Sequence, residues 1–158
     1  MTAKTNREKQ LEIMETFPER LTRLVTGLSV EQLETTYGEG KWTIRQVVNH
    51  IAESHMNGFA RVKFILTEEH PTLVPYQEAK WAEIADTKKM DIDITLLILI
   101  GLHKRIVYLL RSLTEEQWSR TAYHPEEGEL DLNWWLEAYA AHGEKHIGHI
   151  KLALEKFK

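Results

Sequence analysis

Apolar residues recur along this chain at intervals of three and four, the period of an α-helix with one buried face. Leu11, Met14, Leu21, Leu24, Val25 and Leu28 predict a first helical region. Pro18 falls inside it, and a residue without a backbone N–H predicts a bend or interruption there. Ser29-Val30-Glu31-Gln32 has the form of a capping box and starts a short second helix. Gly38-Glu39-Gly40 breaks the chain. Thr43 then caps a long helix reaching to about Leu66, with Ile44, Val47, Val48 and Ile51 on its inner side.

A loop with Pro71 and Pro75 precedes a short helix within Tyr76–Ala85. Asp91 or Asp93 caps a further long helix, Ile94 to Leu113, and Thr114-Glu115-Glu116-Gln117 is a second capping box. Tyr123–Asp131, with Pro125 and Gly128, reads as a loop or a small hairpin. A last helix runs from about Leu132 to Phe157. Alternating strand patterns are almost absent. Four long helical segments joined by short ones predict an all-α fold, a four-helix bundle with short connecting helices.

Composition narrows the chemistry. A length of 158 residues predicts one domain over 1–158, large enough to bury a core. A net charge of −4 argues against a nucleic-acid partner, which calls for a concentrated basic face. The chain has no cysteine, so disulfides, thiolate metal sites and cysteine nucleophiles are excluded. Any metal site must then use His, Asp or Glu. The opening residues, Met1 to Asn6, do not begin a signal peptide, and the apolar run Ile94–Leu102 is too short to span a bilayer. Both point to a cytoplasmic protein with no membrane partner. That same run is apolar nearly all round, which predicts burial on more than one side and hence a homodimer contact.

Candidate chemistry concentrates near the C-terminus. His142, His146 and His149 stand at i, i+4 and i+7, on one face of the last helix. Eight histidines in a chain of this length give about 0.4 His-x-x-x-His pairs by chance, so the pair alone says little. A faint internal repeat adds to it. Leu28–Leu33 resembles Leu113–Trp118, and Trp42-Thr43-Ile44 parallels Trp134-Trp135-Leu136, a displacement that brings His50 onto His142 and Ser54 onto His146. His50 lies among Val47, Val48 and Ile51, where a charged imidazolium is costly. One metal ion would keep His50, His142 and His146 neutral and satisfied together, with positions left open for water or substrate. The alternative is three histidines that are solvated or held in a core hydrogen-bond network.

Other residues take supporting places. His149, two turns from His142, reads as pocket wall, and His103 as a buried hydrogen-bonded residue or a member of the site. Ser54, Asn57 and Arg61 continue the His50 face, with Arg61 suited to an anionic group on a small-molecule substrate. Glu53 is the nearest acidic candidate by sequence, or else an exposed helix residue. His55 projects away from His50 and is not expected to be a ligand. Trp134 and Trp135 open the last helix as core or contact residues.

From Gly40-Lys41-Trp42-Thr43-Ile44-Arg45-Gln46-Val47-Val48-Asn49-His50, through Ser54-His55-Met56-Asn57, Gly101-Leu102-His103-Lys104-Arg105 and His124-Pro125-Glu126, to Tyr139–Ile150, the chain resembles the DinB-like superfamily. Within it the resemblance is to the YfiT-type metal-dependent hydrolases, and it runs from about residue 20 to the end. It implies a four-helix bundle that binds one divalent metal, often zinc or nickel, through three histidines, here His50, His142 and His146. Many relatives have His-His where this chain has Lys145-His146. A three-histidine site lowers the pKa of bound water toward about 7, which makes hydrolysis the natural reaction. The resemblance also admits transfer of a low-molecular-weight thiol of the bacillithiol kind, or a non-catalytic metal-binding stress-response module.

Overall fold

In the computed structural model, which describes residues 3–158, the first helix, α1, spans Ala3–Val25 and continues through Pro18. The expected interruption does not occur. Leu11, Met14, Phe17, Leu21 and Val25 are all buried, so packing along one face outweighs the single backbone bond that proline removes. The short α2, Val30–Leu33, starts at the Ser29 capping box. The long α3, Ile44–Thr67, starts at another: Thr43 Oγ1 accepts the Gln46 N–H while Gln46 Oε1 accepts the Thr43 N–H. The helix expected within Tyr76–Ala85 resolves into two, α4 (Glu78–Trp81) and α5 (Ala85–Lys89). Asp91, rather than Asp93, caps α6 (Ile92–Arg111), since its carboxylate accepts the Asp93 N–H.

A short α7, Glu115–Trp118, follows the Thr114 capping box. The stretch left open as loop or hairpin is a hairpin: β1 (Thr121–His124) pairs antiparallel with β2 (Gly128–Asp131), and Gly128 takes φ +79 where the turn closes. Asp131 then caps α8, Leu132–Leu154, which ends in a 3-10 turn over Glu155–Phe157.

Among the described residues the long helices are α1, α3, α6 and α8, and they form a four-helix bundle. Both α1 and α3 pack against α6 and against α8, so α1 and α3 stand diagonally across the bundle. The apolar core falls into two clusters. One gathers Met14, Val62, Ile65, Ile106, Leu110, Trp135 and Leu136; the other gathers Phe17, Leu21, Val48, Ile51, Leu99, Ile147 and Ile150. Between them, at mid-bundle, the helices carry buried His55, His103 and His146. A polar layer crosses the interior at the level of the site. On α6, Leu96 and Leu99 of the run Ile94–Leu102 face inward, while Ile94, Leu97 and Ile98 are exposed on the single chain. No helix among the described residues is long and apolar enough to cross a membrane.

Candidate metal centre

Helix α3 supplies His50, and α8 supplies His142 and His146 one turn apart. The Thr43 capping box sets the phase at which α3 begins, and apolar Val47, Val48 and Ile51 fix which way it faces. The adjacent polar residues turn the other way. Gln46 Nε2 donates to Ala82 O at 2.9 Å and Asn49 Nδ2 to Thr87 O at 3.0 Å, tying the α4–α5 segment to α3.

The three imidazoles converge through their outer nitrogens. His142 Nε2 lies 3.3 Å from His50 Nε2 and 3.1 Å from His146 Nε2. One ring nitrogen from each histidine lies within 4.8 Å of the others. Two nitrogens bound to one tetrahedral ion at about 2.0–2.1 Å stand about 3.3 Å apart, so this spacing suits a single divalent ion. Burial keeps the donors uncharged. It is the leading cause that brings His50 down to about 3, His142 to about 4 and His146 to about 2; His142 adds to the effect on the other two, and Lys145 to that on His142. At neutral pH the three offer lone pairs rather than competing protons.

Two cavities meet at this centre. A cavity of about 300 Å³ lies directly over the histidines, walled by Tyr37 and Trp42 and rimmed by Lys41 and Lys145. The Trp42 ring sits 4.6 Å from His50, and the Tyr37 ring stacks on His149 at 4.2 Å, so that His149 lines this cavity. A second cavity of about 580 Å³ runs from His142 past Ser54, Tyr76, Tyr139 and Trp135 to Arg61. Arg61 Nη2 donates to Val74 O at 2.9 Å. Burial pushes the Tyr76 hydroxyl up to about 12, so it remains protonated. A larger space, about 700 Å³, lies between α1 and α6 around Glu15, Tyr108 and Arg111, apart from the three convergent nitrogens.

The carboxylate at the centre is not Glu53. That side chain accepts a hydrogen bond from Thr87 Oγ1 on α5, lines neither cavity, and has its pKa raised chiefly by burial. Glu78, at the start of α4, lines both cavities, and its Oε2 stands 3.9 Å from His50 Nε2. A four-residue helix inside a loop carries no periodic signal, and Glu78 was invisible to pattern reading. Ser54 and Arg61 line the second cavity, whereas Asn57 back-bonds to Glu53 O in its own helix and faces a small space beside Pro71. His55, expected to point away, is wholly buried and hydrogen-bonds both His142 and His103. It is i+5 from His50, which puts it off the His50 face of α3 yet directed at His142 on α8.

Comparison with known proteins follows the same line. The sequence profile of the DinB superfamily matches residues 13–150. A Bacillus cereus (strain B4264) protein named "Putative metal-dependent hydrolase" is 47% identical over 137 residues, covering 87% of this chain and 79% of that one. A Bacillus mycoides (strain KBAB4) protein of the same description is 43% identical over 149 residues, covering 94% and 86%. Among solved structures, YfiT from Bacillus subtilis, described as a probable metal-dependent hydrolase with an unusual four-helix bundle topology, superposes with a TM-score of 0.95 at 39% identity, covering 99% of this chain and 90% of that one. A mycothiol-dependent maleylpyruvate isomerase shares the fold alone, with a TM-score of 0.73 at 16% identity, covering 91% of this chain and 60% of that one.

Proposed function

This chain belongs to the DinB superfamily, and from that premise and the geometry of its histidines we propose a metal-dependent hydrolase acting on a small molecule, with zinc or nickel held by His50, His142 and His146. The observation that carries this reading is the convergence of three neutral Nε2 atoms at 3.1 and 3.3 Å. A bound divalent ion supplies Lewis acidity at the scissile group and lowers the pKa of a coordinated water.

The chain's own residues do the rest. Glu78, whose Oε2 stands 3.9 Å from His50 Nε2, would take a proton from the attacking water and return it to the leaving group. Arg61 holds an anionic end of the substrate, and the Trp135 and Tyr139 rings, stacked at 4.4 Å, wall its apolar body. Tyr37 and Trp42 restrict water on the opposite side. Metal-loaded protein assayed on ester and amide probes without thiol tests the reading. Turnover is expected there, and Glu78→Gln should lower kcat about 100-fold or more while metal stoichiometry is unchanged.

One observation favours a second reading. Two cavities meeting at one centre suit two ligands, and the Lys41–Lys145 rim would hold an anionic thiol opposite an electrophile beside Arg61. Turnover only with added low-molecular-weight thiol assigns transfer instead of hydrolysis; metal binding with neither activity assigns a binding module. The exposed Ile94, Leu97 and Ile98 on α6 support a second copy of this chain as partner. Sedimentation velocity should then show a dimer that Leu97→Glu converts to monomer.

A further inference from the structure

Pro18 has no N–H, so the carbonyl four residues earlier, that of Met14, loses its helical partner. That carbonyl lies in the bundle interior, where an unpartnered acceptor is costly. It accepts a hydrogen bond from His103 Nδ1 at 2.6 Å. A carbonyl can only accept, and this fixes the proton on His103 Nδ1. Burial brings His103 down to about 4, so the ring is neutral and its Nε2 is bare. His103 Nε2 therefore accepts from His55 Nδ1, 2.8 Å away. His55 is wholly buried against the Phe17 and Tyr139 rings, where a charged ring is costly, so it holds one proton, on Nδ1, and its own Nε2 is bare in turn. It accepts from His142 Nδ1 at 3.2 Å. The proton on His142 is thereby placed on Nδ1, and its lone pair on Nε2, the atom that faces His50 and His146.

We propose that His55 and His103 are positioning residues for the metal centre: a three-imidazole relay, anchored on the carbonyl that Pro18 leaves free, locks His142 as the Nδ1–H tautomer with its Nε2 aimed at the ion. The inference rests on the three-histidine metal reading for its purpose, though not for the hydrogen bonds themselves. A metal-bound imidazole ordinarily donates its second N–H to a partner that sets its orientation and raises its basicity. His142 has that partner. The inner Nδ1 atoms of His50 and His146 are buried with none. The relay is a lock rather than a proton wire, because its far end is a carbonyl with no proton to pass on.

Packing holds the rings in line. Phe17 stacks on His103 with centroids 5.2 Å apart and lies 5.7 Å from His55, while Tyr139 meets His55 edge-on. Phe17 reaches this place because residue 143 is glycine; a Cβ there would come within 2.7 Å of its ring. The relay thus draws on all four long helices: α1 gives the carbonyl and Phe17, α6 His103, α3 His55 and α8 His142.

Long-range proton–nitrogen spectra of protein labelled with 15N-histidine, recorded without metal at neutral pH, read the tautomers directly. His55, His103 and His142 are each expected as Nδ1–H with an unprotonated Nε2. A proton on Nε2 of His142 overturns the proposal, whatever the metal does. The second measurement is zinc affinity by competition with a chromophoric chelator. His103→Met fills the volume with no donor and only a weak sulfur acceptor, and is expected to weaken zinc about 10- to 100-fold and to leave His142 in mixed tautomers. His103→Gln restores a donor for Met14 O and an acceptor for His55, and should recover most of the affinity. Wild-type affinity in a folded His103→Met protein overturns the proposal. If the wild-type chain binds no zinc or nickel at all, the metal reading fails while the tautomer spectra still decide the relay. If His103→Met does not fold, the wild-type spectra and His103→Gln carry the test.

Discussion

Two of the histidines that meet at the candidate metal centre, His50 on α3 and His142 on α8, are held by different means. On α3, His50 is 1% exposed and sits among apolar Val47, Val48 and Ile51 under the Trp42 ring, with its inner nitrogen unpartnered. Its polar neighbours, Gln46 and Asn49, spend their hydrogen bonds on the α4–α5 backbone. On α8, His142 is only half-buried and is held by a hydrogen bond to His55. His50 is placed by shape and His142 by a directed bond. Changes near the first should act through volume, and changes near the second through donor and acceptor sense.

The largest effect breaks both sides at once. His50→Ala leaves two imidazoles on one helix, and His146→Ala leaves one on each; either should abolish one-to-one metal binding measured by elemental analysis after gel filtration. Tight stoichiometric metal in His50→Ala would show that α3 contributes no ligand. His149→Ala should keep its metal, because His149 stacks on Tyr37 as a wall.

Next comes the pH dependence of metal-free protein. The buried imidazoles have folded pKa values depressed below the ordinary 6.5, His103 to about 4 chiefly through burial. Between those values the unfolded chain takes up protons that the native state refuses, so stability rises with pH across that window. It is fully present above about pH 6.5 and is lost progressively as pH falls toward about 4. His103 alone accounts for about 3 kcal/mol of this. Chemical denaturation from pH 7.5 down to 4.5 should show the loss, and His103→Gln should flatten it measurably. An unchanged slope in that variant would mean that His103 is not a buried neutral ring.

The bundle and its capping boxes were legible in the sequence because they arise from local causes. Helical periodicity, Ser29, Thr43 and Thr114 each act within a few residues. The grouping of His50 with His142 and His146 was readable only from the weak repeat taken together with the family resemblance, not from spacing alone. What stayed hidden depends on contacts between distant segments. Pro18 looks like a helix breaker until Met14 O is seen to have His103 as a substitute partner. His55 looks like an outward residue until α6 and α8 are packed against it. Glu78 belongs to a loop whose path is set by Gln46 and Asn49, two residues that periodicity would assign to solvent or to the site. Glu53 illustrates the converse: one turn from His50 in sequence, it is turned toward Thr87 on α5.

A smaller effect tests shape where α3 meets α8. A Cβ at Gly58 would lie 2.3 Å from the Tyr139 ring, whereas one at Gly148 would meet nothing within 4 Å. Gly58→Ala should therefore cost about 1–3 kcal/mol through overpacking and displace Tyr139 from the second cavity. Gly148→Ala should gain about 0.5–1 kcal/mol, since alanine suits a helix interior better than glycine. Urea midpoints at constant m decide between these signs. Loss of stability in both variants would mean that α8 lies closer to its neighbours than described.

The smallest effect separates the two ways of holding a histidine most cleanly. Thr95 Oγ1 donates to Asn49 Oδ1 in the buried space between α6 and α3, one residue from His50. Thr95→Val keeps the volume and removes that donor, leaving a buried amide oxygen short of a partner at a cost of about 1 kcal/mol. Asn49 would still be held through its Nδ2 bond to Thr87 O, and nothing in this contact touches the His50 ring. Stability should fall slightly while zinc affinity stays within about twofold of wild type, since His50 is fixed by its apolar neighbours. His103→Met also deletes a hydrogen bond remote from the ion, yet it should weaken zinc because His142 depends on donor sense. If Thr95→Val weakens zinc as strongly as His103→Met does, hydrogen bonding governs both histidines and the contrast between His50 and His142 collapses.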